Sequence, residues 1–367
     1  MANNTKKIVQ TMEPMGKGFN YKQLQRDLGQ TPLKRLCLNE NPYGPTPKIM
    51  DALNRYTREE AAYYPDPYQS ELRQLVSQYY GKDEDTIVFT NGLDEMIQLL
   101  PRTFVEAGDE VLAHLPCFYE YKEQAEVDGA HFIGIQSLEN GQVDWKEMKK
   151  AVSDKTKMVY ICTPNNPTGL TETRSDIIDF LEVVPAQTVV LIDEAYIEFL
   201  EDPESKTALP LMEDYPQLAV MRTFSKAYGL ANIRLGYTFF SKENARALNA
   251  TRTPFNISGI KEQMAIEALK DQVYLKEVID KITNERNKWL NLLDKLEIEY
   301  YPSQTNFILF HLNDAEKFIE LALEKGYQIA THNSPEWIRM SLPKEEEGEV
   351  LRKLFVEFIE NQSQSKE

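Results

Sequence analysis

The chain is poor in the residues that metal and disulfide chemistry need. It has 3 cysteines (Cys37, Cys117 and Cys162) and 4 histidines among 367 residues. The cysteines lie far apart, so neither a disulfide framework nor a Cys-rich zinc site is expected, and a reducing cytoplasm suits them. The histidines lack the i, i+4 spacing of paired ligands on a helix, and no metal is expected. No run approaches the roughly 18 apolar residues of a membrane span, so no membrane association is expected. The opening "MANNTKKIVQTMEP" has lysines but no apolar stretch behind them, and is not read as a secretory signal. Basic clusters are missing as well. With 41 Lys and Arg against 58 Asp and Glu, the net charge is -17. A surface so acidic does not suit nucleic acid or an anionic membrane. A small anionic substrate stays compatible, because a few arginines can dominate one pocket. Two nucleotide signatures are absent: no G-x-G-x-x-G follows the first strand, and no G-x-x-x-x-G-K-[ST] occurs. NAD-type and P-loop readings lose support accordingly.

What is present is ordinary material for a large soluble fold, 42% hydrophobic and 27% charged. The length exceeds what one core usually serves, so two domains, or one large domain with a smaller appendage, are expected. From about residue 85 strands and helices alternate. "TIVFT" (86–90), "EVLAH" (110–114) and "HFIGI" read as strands, as do "KMVYICT" (157–163), "TVVLID" (188–193) and "LAVMRTF" (218–224). The later ones are near-continuous apolar runs, as strands buried on both faces should be. "LDEMIQLLPRTFVEAG" has helical spacing, with a kink or break expected at Pro101. This alternation predicts a mostly parallel sheet flanked by helices. After about 245 the pattern changes to long helices over roughly 258–295, then short strands at "NFILF" (306–310) and "WIRMSL" (337–342). That reads as a smaller α+β domain. The expected division is an arm over 1–45 packing on the small domain or a partner, a large domain over 46–245 and a small one over 246–367.

Ligands of parallel α/β sheets collect beyond the carboxyl ends of the strands. After "TIVFT" stand Asn91, Gly92, Leu93 and Asp94, opening a helix. This is either an ordinary turn or a phosphate site at a helix N-terminus. After "KMVYICT" the rigid "PNNPTG" presents Asn165 and Asn166. After "TVVLI" comes Asp193, placed to pair with a cation or to cap a loop. Its neighbour Glu194 should point to the opposite face, which argues against a glycosidase pair. After "LAVMR" comes "TFSKAYGLANIRLGY" (223–237), with the hydroxyls of Thr223 and Ser225, an amine at Lys226 and a guanidinium at Arg234. Each alone has a bland reading. Together they supply an amine for a Schiff base, an acid for a ring nitrogen and donors for a phosphate, which is the inventory pyridoxal 5′-phosphate requires.

At these residues the chain resembles the fold-type-I pyridoxal-phosphate enzymes of the class I/II aminotransferases, and within them the histidinol-phosphate aminotransferase family. The resemblance rests on "LNENPYGP" (38–45), "YYPDP" (63–67), "NGLDE" (91–95), "PNNPTG" (164–169), "IDEAYIEF" (192–199), "TFSKAYGLANIRLGY", "TNFILF" (305–310) and "IRMSL" (338–342), in the family order and over nearly the whole chain. It implies an aspartate-aminotransferase-like α/β fold with the cofactor on the large domain. It makes Lys226 the Schiff-base lysine and acid/base, and Asp193 the partner of the pyridine nitrogen. Tyr196 and Asn166 would bond the ring's 3-oxygen, and Phe118 would stack on the ring where the family usually has Tyr. Gly92, Leu93, Asp94, Thr223, Ser225 and Arg234 would form the phosphate cradle. Tyr64 would reach the phosphate from a neighbouring subunit, implying a homodimer. Arg339, Asn41 and Asn166 would meet the substrate. The implied reaction moves an amino group between an amino acid or histidinol phosphate and a 2-oxo acid. Aromatic or other amino acids as donors, or decarboxylation of an amino acid phosphate, are alternatives within the same fold. Two departures stand out. Histidinol-phosphate members usually carry another Arg where this chain has Ala330, Thr331 and His332, and Pro343 stands near the family's strand-ending glycine.

Overall fold

The computed structural model describes residues 4–13, 21–27, 29, 33–332 and 334–364, so part of the expected N-terminal arm lies outside the described residues. Two compact units emerge. The larger comprises 43–166 and 170–279, the smaller 1–42, 167–169 and 280–367.

The larger unit is built on a seven-stranded sheet. Its spatial order is Ile87–Thr90, Gly236–Phe239, Leu218–Thr223, Val189–Asp193, Thr156–Cys162, Glu110–Leu115 and His131–Gln136. All neighbours pair in parallel except Gly236–Phe239, which runs against both strands beside it. This reversed strand is absent from the expected series. It directly follows Arg234, so it is the return leg of the loop carrying Lys226. The central strands Val189–Asp193 and Leu218–Thr223 are buried at every residue, whereas the edge strand His131–Gln136 is only half-covered. The apolar runs follow from this: a central parallel strand has helices on both faces. Each fully buried Val, Leu or Ile there contributes about 1.5–3 kcal/mol.

The helix Leu93–Phe104 continues through Pro101, so of the expected kink or break the break does not occur. Pro101 is itself buried, and its packing outweighs the lost backbone hydrogen bond. Several helix starts carry side-chain caps. Asp144 accepts from Glu147 N at 3.0 Å and Thr173 from Asp176 N at 3.2 Å. The expected boundary at 245 also shifts. Helix Lys242–Thr251 packs on Leu93–Phe104, and Gly259–Lys270 packs on Ile49–Arg55 and Ser70–Tyr80, so both belong to the larger unit. The change of unit comes at 279/280 instead.

The smaller unit holds a four-stranded antiparallel sheet in the order Ala330–His332, Ser334–Ser341, Phe307–His311, Tyr300–Tyr301. Lys34–Arg35 pairs in parallel with Tyr327–Gln328, so this part of the N-terminal segment is joined to the smaller unit by a strand pairing. The helix Glu345–Gln364 supplies Phe355, whose ring meets Trp289, Phe310 and Phe318 at centroid distances of 5.9, 5.6 and 5.2 Å. Among the described residues, no helix is long and apolar enough to cross a membrane.

One buried ion pair underlies the crevice end of the large sheet. Arg222 donates from Nη2 and Nε to Glu194 Oε2 at 2.8 and 3.1 Å, and from Nη2 to Thr207 Oγ1 at 2.8 Å. Burial pushes the nearby Glu198 carboxyl up to about 7 even though Arg222 pulls it down. Removing the cation would strand buried carboxylates, so Arg222→Met is expected to destabilise the protein by roughly 3–5 kcal/mol. Urea unfolding measures this, and a loss under about 1 kcal/mol would show that the pair is dispensable.

Candidate active site

The site grows out of the carboxyl ends of the parallel strands. Asp193 is the last residue of the central strand Val189–Asp193 and is 6% exposed. Its Oδ1 accepts from Ala195 N at 2.9 Å, and its Oδ2 accepts from the Tyr121 hydroxyl. Burial raises the carboxyl to about 6, while these two hydrogen bonds and the Lys226 charge pull it down without prevailing. Tyr121 itself is buried and stacks flat on Tyr160, with centroids 4.3 Å apart. Its side chain is therefore held before it meets Asp193. The sequence reading assigned Tyr121 no role, taking it as one residue of a helix. Phe118 lies on the preceding loop and meets Tyr121 edge-on at 5.9 Å.

Lys226 sits in the loop after Leu218–Thr223, whose backbone closes on itself. Phe224 N donates to Leu235 O at 3.1 Å and Leu230 N to Phe224 O at 2.9 Å. The loop turns at Gly229, with φ +69°, where a Cβ would come within 2.7 Å of Pro45 N. Glycine is required there both for the turn and for the close approach of "YGP". Lys226 Nζ stands 5.7 Å above the ring centre of the buried Tyr196. Asn166 follows the strand Thr156–Cys162 on the same side, and its backbone amide reaches the Cys162 thiol.

The returning arm of this loop brings Arg234 to the turn at Gly92. Arg234 takes the left-handed conformation, φ 54°. Nη2 pairs with Asp94 Oδ2 at 2.7 Å, and Nη1 donates to Ala231 O at 3.1 Å and Ser225 Oγ at 3.4 Å. Gly92 caps the helix Leu93–Phe104 with φ +79°, and a Cβ there would lie 2.9 Å from Arg234 Cζ. Only a residue without a side chain lets the guanidinium lie against the helix N-terminus. Thr223 and Ser225 are buried beside it, joined by Ser225 N to Thr223 Oγ1 at 3.0 Å. Lys261 was also missed by the sequence reading: its Nζ donates to Asn91 Oδ1, one residue before Gly92.

Tyr64 differs from the rest. It is 82% exposed, and its ring stacks on Phe255 at 4.8 Å. Arg339 and Asn41 belong to the smaller unit. Arg339 lies on Ser334–Ser341, cross-strand from Leu309 and Ala330, and its Nη2 donates to Cys37 O at 3.0 Å. Burial and the Arg339 charge push the neighbouring His332 down to about 4, so its ring is neutral.

A wide parallel sheet with a lysine loop, a buried strand-end aspartate and a helix-N-terminal cradle defines the pyridoxal-phosphate aminotransferase class. The donor set fits that cofactor: an amine, a carboxylate for the ring nitrogen, and a guanidinium with two hydroxyls at a helix start. The model of aminotransferase class I and II matches residues 31–354, and the chain belongs to that family. It is 39% identical to the histidinol-phosphate aminotransferase of Lactiplantibacillus plantarum over 96% of this chain and 99% of the relative. Its identity to the enzyme of that name from Limosilactobacillus fermentum is also 39%, over 90% and 92%. Among solved structures it is similar to histidinol-phosphate aminotransferase from Sinorhizobium meliloti in complex with pyridoxal-5′-phosphate, with a TM-score of 0.88, 27% identity and 99% of each chain covered.

Asp193 also makes a pH prediction for the cofactor-free protein. Its folded carboxyl titrates near 6, above the ordinary 3.8, so the folded chain holds the proton more tightly than the unfolded one. The stability this supplies is fully present below about pH 4 and is lost as pH rises through about 6. Asp193→Asn lacks that slope. Between about pH 4 and 7 the wild type is expected to lose on the order of 2 kcal/mol relative to the variant. Parallel stability curves from denaturant titrations would refute this.

Proposed function

We propose that this pyridoxal-phosphate aminotransferase takes histidinol phosphate as its amino donor and a 2-oxo acid as acceptor, serving histidine biosynthesis in the cytoplasm. The observation that supports the reading is the identity of 39% to histidinol-phosphate aminotransferases over nearly the full chain, joined to a complete cofactor donor set in the larger unit. When bound, pyridoxal phosphate supplies an aldehyde that condenses with a primary amine and a pyridinium ring that accepts electrons from a breaking Cα–H bond.

The chain's own residues do the rest. Lys226 would supply the amine that holds the cofactor and would serve as the base for the proton on the substrate Cα. Asp193 would accept the ring nitrogen's N–H and keep its proton in place, and low-dielectric surroundings would strengthen that pair. Tyr121 and the Ala195 amide orient the carboxylate. Tyr196 and Asn166 would bind the ring's 3-oxygen, and Phe118 would cover a ring face. Gly92, Leu93, Asp94, Thr223, Ser225 and Arg234 bind or frame the phosphate. Tyr64 would complete the phosphate site of a second copy in a homodimer, which suits its exposure in one chain. Arg339 and Asn41 bind the substrate.

One observation favours a second reading of the donor. Ala330 stands cross-strand from Arg339, in the neighbourhood where histidinol-phosphate members usually carry a further Arg. An aromatic amino acid would not need that charge. Single donors added to the loaded enzyme without any oxo acid separate the two, because conversion of the cofactor bleaches its visible band. Bleaching by histidinol phosphate and not by aromatic amino acids is expected; the reverse would replace the proposed donor. Lys226→Ala is expected to lose turnover with every donor while folding normally and still binding the cofactor non-covalently. Multiple-turnover activity in that variant without added amines would sink the assignment of Lys226.

A further inference from the structure

We infer that Lys261 is a second cation of the cofactor-phosphate cradle, complementing Arg234; this rests on the cradle reading above. Lys261 lies in the first turn of the helix Gly259–Lys270, far in sequence from every motif of the cofactor site. Its Nζ donates to the side-chain oxygen of Asn91, in the turn that opens the helix Leu93–Phe104. Asn91 is itself fixed. Its backbone N–H donates to Glu95 Oε2, and that oxygen also accepts from Asn256 Nδ2 at 2.9 Å. Asn256 Nδ2 is anchored in turn by Phe89 O at 3.3 Å, on the strand entering the turn. Lys261 is thus tied to the turn whose next residue, Gly92, lies against the Arg234 guanidinium. The two cations are close enough that Arg234 depresses the Lys261 ammonium, adding to the larger effect of burial.

A chain of net charge -17 has no shortage of carboxylates to separate such a pair. Asp94 takes Arg234, while Glu95 accepts from Asn91 and Asn256 and its charge also acts on Lys261, without cancelling the effects of burial and Arg234. Two converging cations at a helix N-terminus suit a group carrying close to two negative charges, which a phosphate monoester does and a carboxylate does not. The roles of the two differ chemically. Arg234 offers a planar fork fixed on three sides, whereas Lys261 offers a point charge on a flexible stem whose head can turn from Asn91 to a phosphate oxygen.

The alternative is that Lys261 only secures the turn, and ligand binding separates the two. Cofactor-free enzyme is titrated with pyridoxal phosphate and, separately, with pyridoxal, which lacks the phosphate; binding is followed by absorbance. Lys261→Gln is expected to weaken pyridoxal phosphate about tenfold and leave pyridoxal unchanged. Lys261→Arg should recover most of the loss. Equal weakening of both ligands, or no weakening of pyridoxal phosphate, overturns the inference. Arg234→Gln is the control on the underlying reading. If it keeps the full preference for pyridoxal phosphate over pyridoxal, the cradle itself is misplaced and Lys261 falls with it. If Arg234→Gln loses that preference while Lys261→Gln keeps it, only the role of Lys261 is refuted.

Discussion

Asp193 carries a carboxylate into the interior of the larger unit, at the end of a strand whose every residue is buried. Burial penalises that charge, and the two hydrogen bonds from Tyr121 and Ala195 compensate only in part, so the carboxyl titrates near 6. The next residue shows the other solution to the same problem. Glu194 is equally buried but meets Arg222 and Thr207 on the adjoining elements. Two consecutive carboxylates therefore have opposite fates. One is neutralised inside the protein and supports the sheet. The other is compensated only in part, and on the role proposed above a pyridinium ring would be its cationic partner. The alternation of side chains along a strand makes this division possible.

The lysine loop is organised by the same sheet. Its ends are Leu218–Thr223 and the reversed strand Gly236–Phe239, which pair with each other. Because the return leg is hydrogen-bonded in register, the position of Arg234 relative to Lys226 is a backbone property and does not depend on a flexible side chain. Gly92 then decides how near the guanidinium comes to the helix Leu93–Phe104. On the roles proposed above, the amine and phosphate-binding ends would thereby be held at a set separation, as one rigid cofactor requires.

Much of this was legible in the sequence because its signals are local. Apolar runs of strand length, the turn residues after them, and the lysine and arginine of one loop all lie within short windows, and motif order carried the family resemblance. What escaped had long-range causes. Tyr121 reaches Asp193 across 72 positions, and Lys261 reaches Asn91 across 170. Nothing near either residue marks it, since each reads as an ordinary polar member of an amphipathic helix. Gly236–Phe239 was hidden inside a stretch read for its chemistry, and a short strand beside a motif has no independent period. Pro101 misled for the opposite reason. Its local preference is strong, but its burial beside the sheet outweighs it. The boundary drawn at 245 followed a change of composition, whereas the units are divided by packing.

The division of residues between the units bears on how such an enzyme can change its donor. On the roles proposed here, every group that handles the cofactor is in the larger unit, while Arg339 and Asn41 are in the smaller. The cofactor groups are interlocked: Gly92 with Arg234, Arg234 with Ser225 and Asp94, Asp193 with Tyr121. A substitution at any one disturbs several others, so their coupling energies do not simply add. Ala330 and His332, by contrast, lie on the short strand Ala330–His332 at the edge of the smaller sheet. An edge position tolerates a change of side chain without repacking a core. On the roles proposed above, a change of side chain at Ala330 would alter charge near Arg339, its cross-strand partner, without touching any of the interlocked cofactor groups. Donor preference is therefore the property of this chain most free to diverge from relatives that share its chemistry, and the half-reaction with single donors is where such divergence would first be visible.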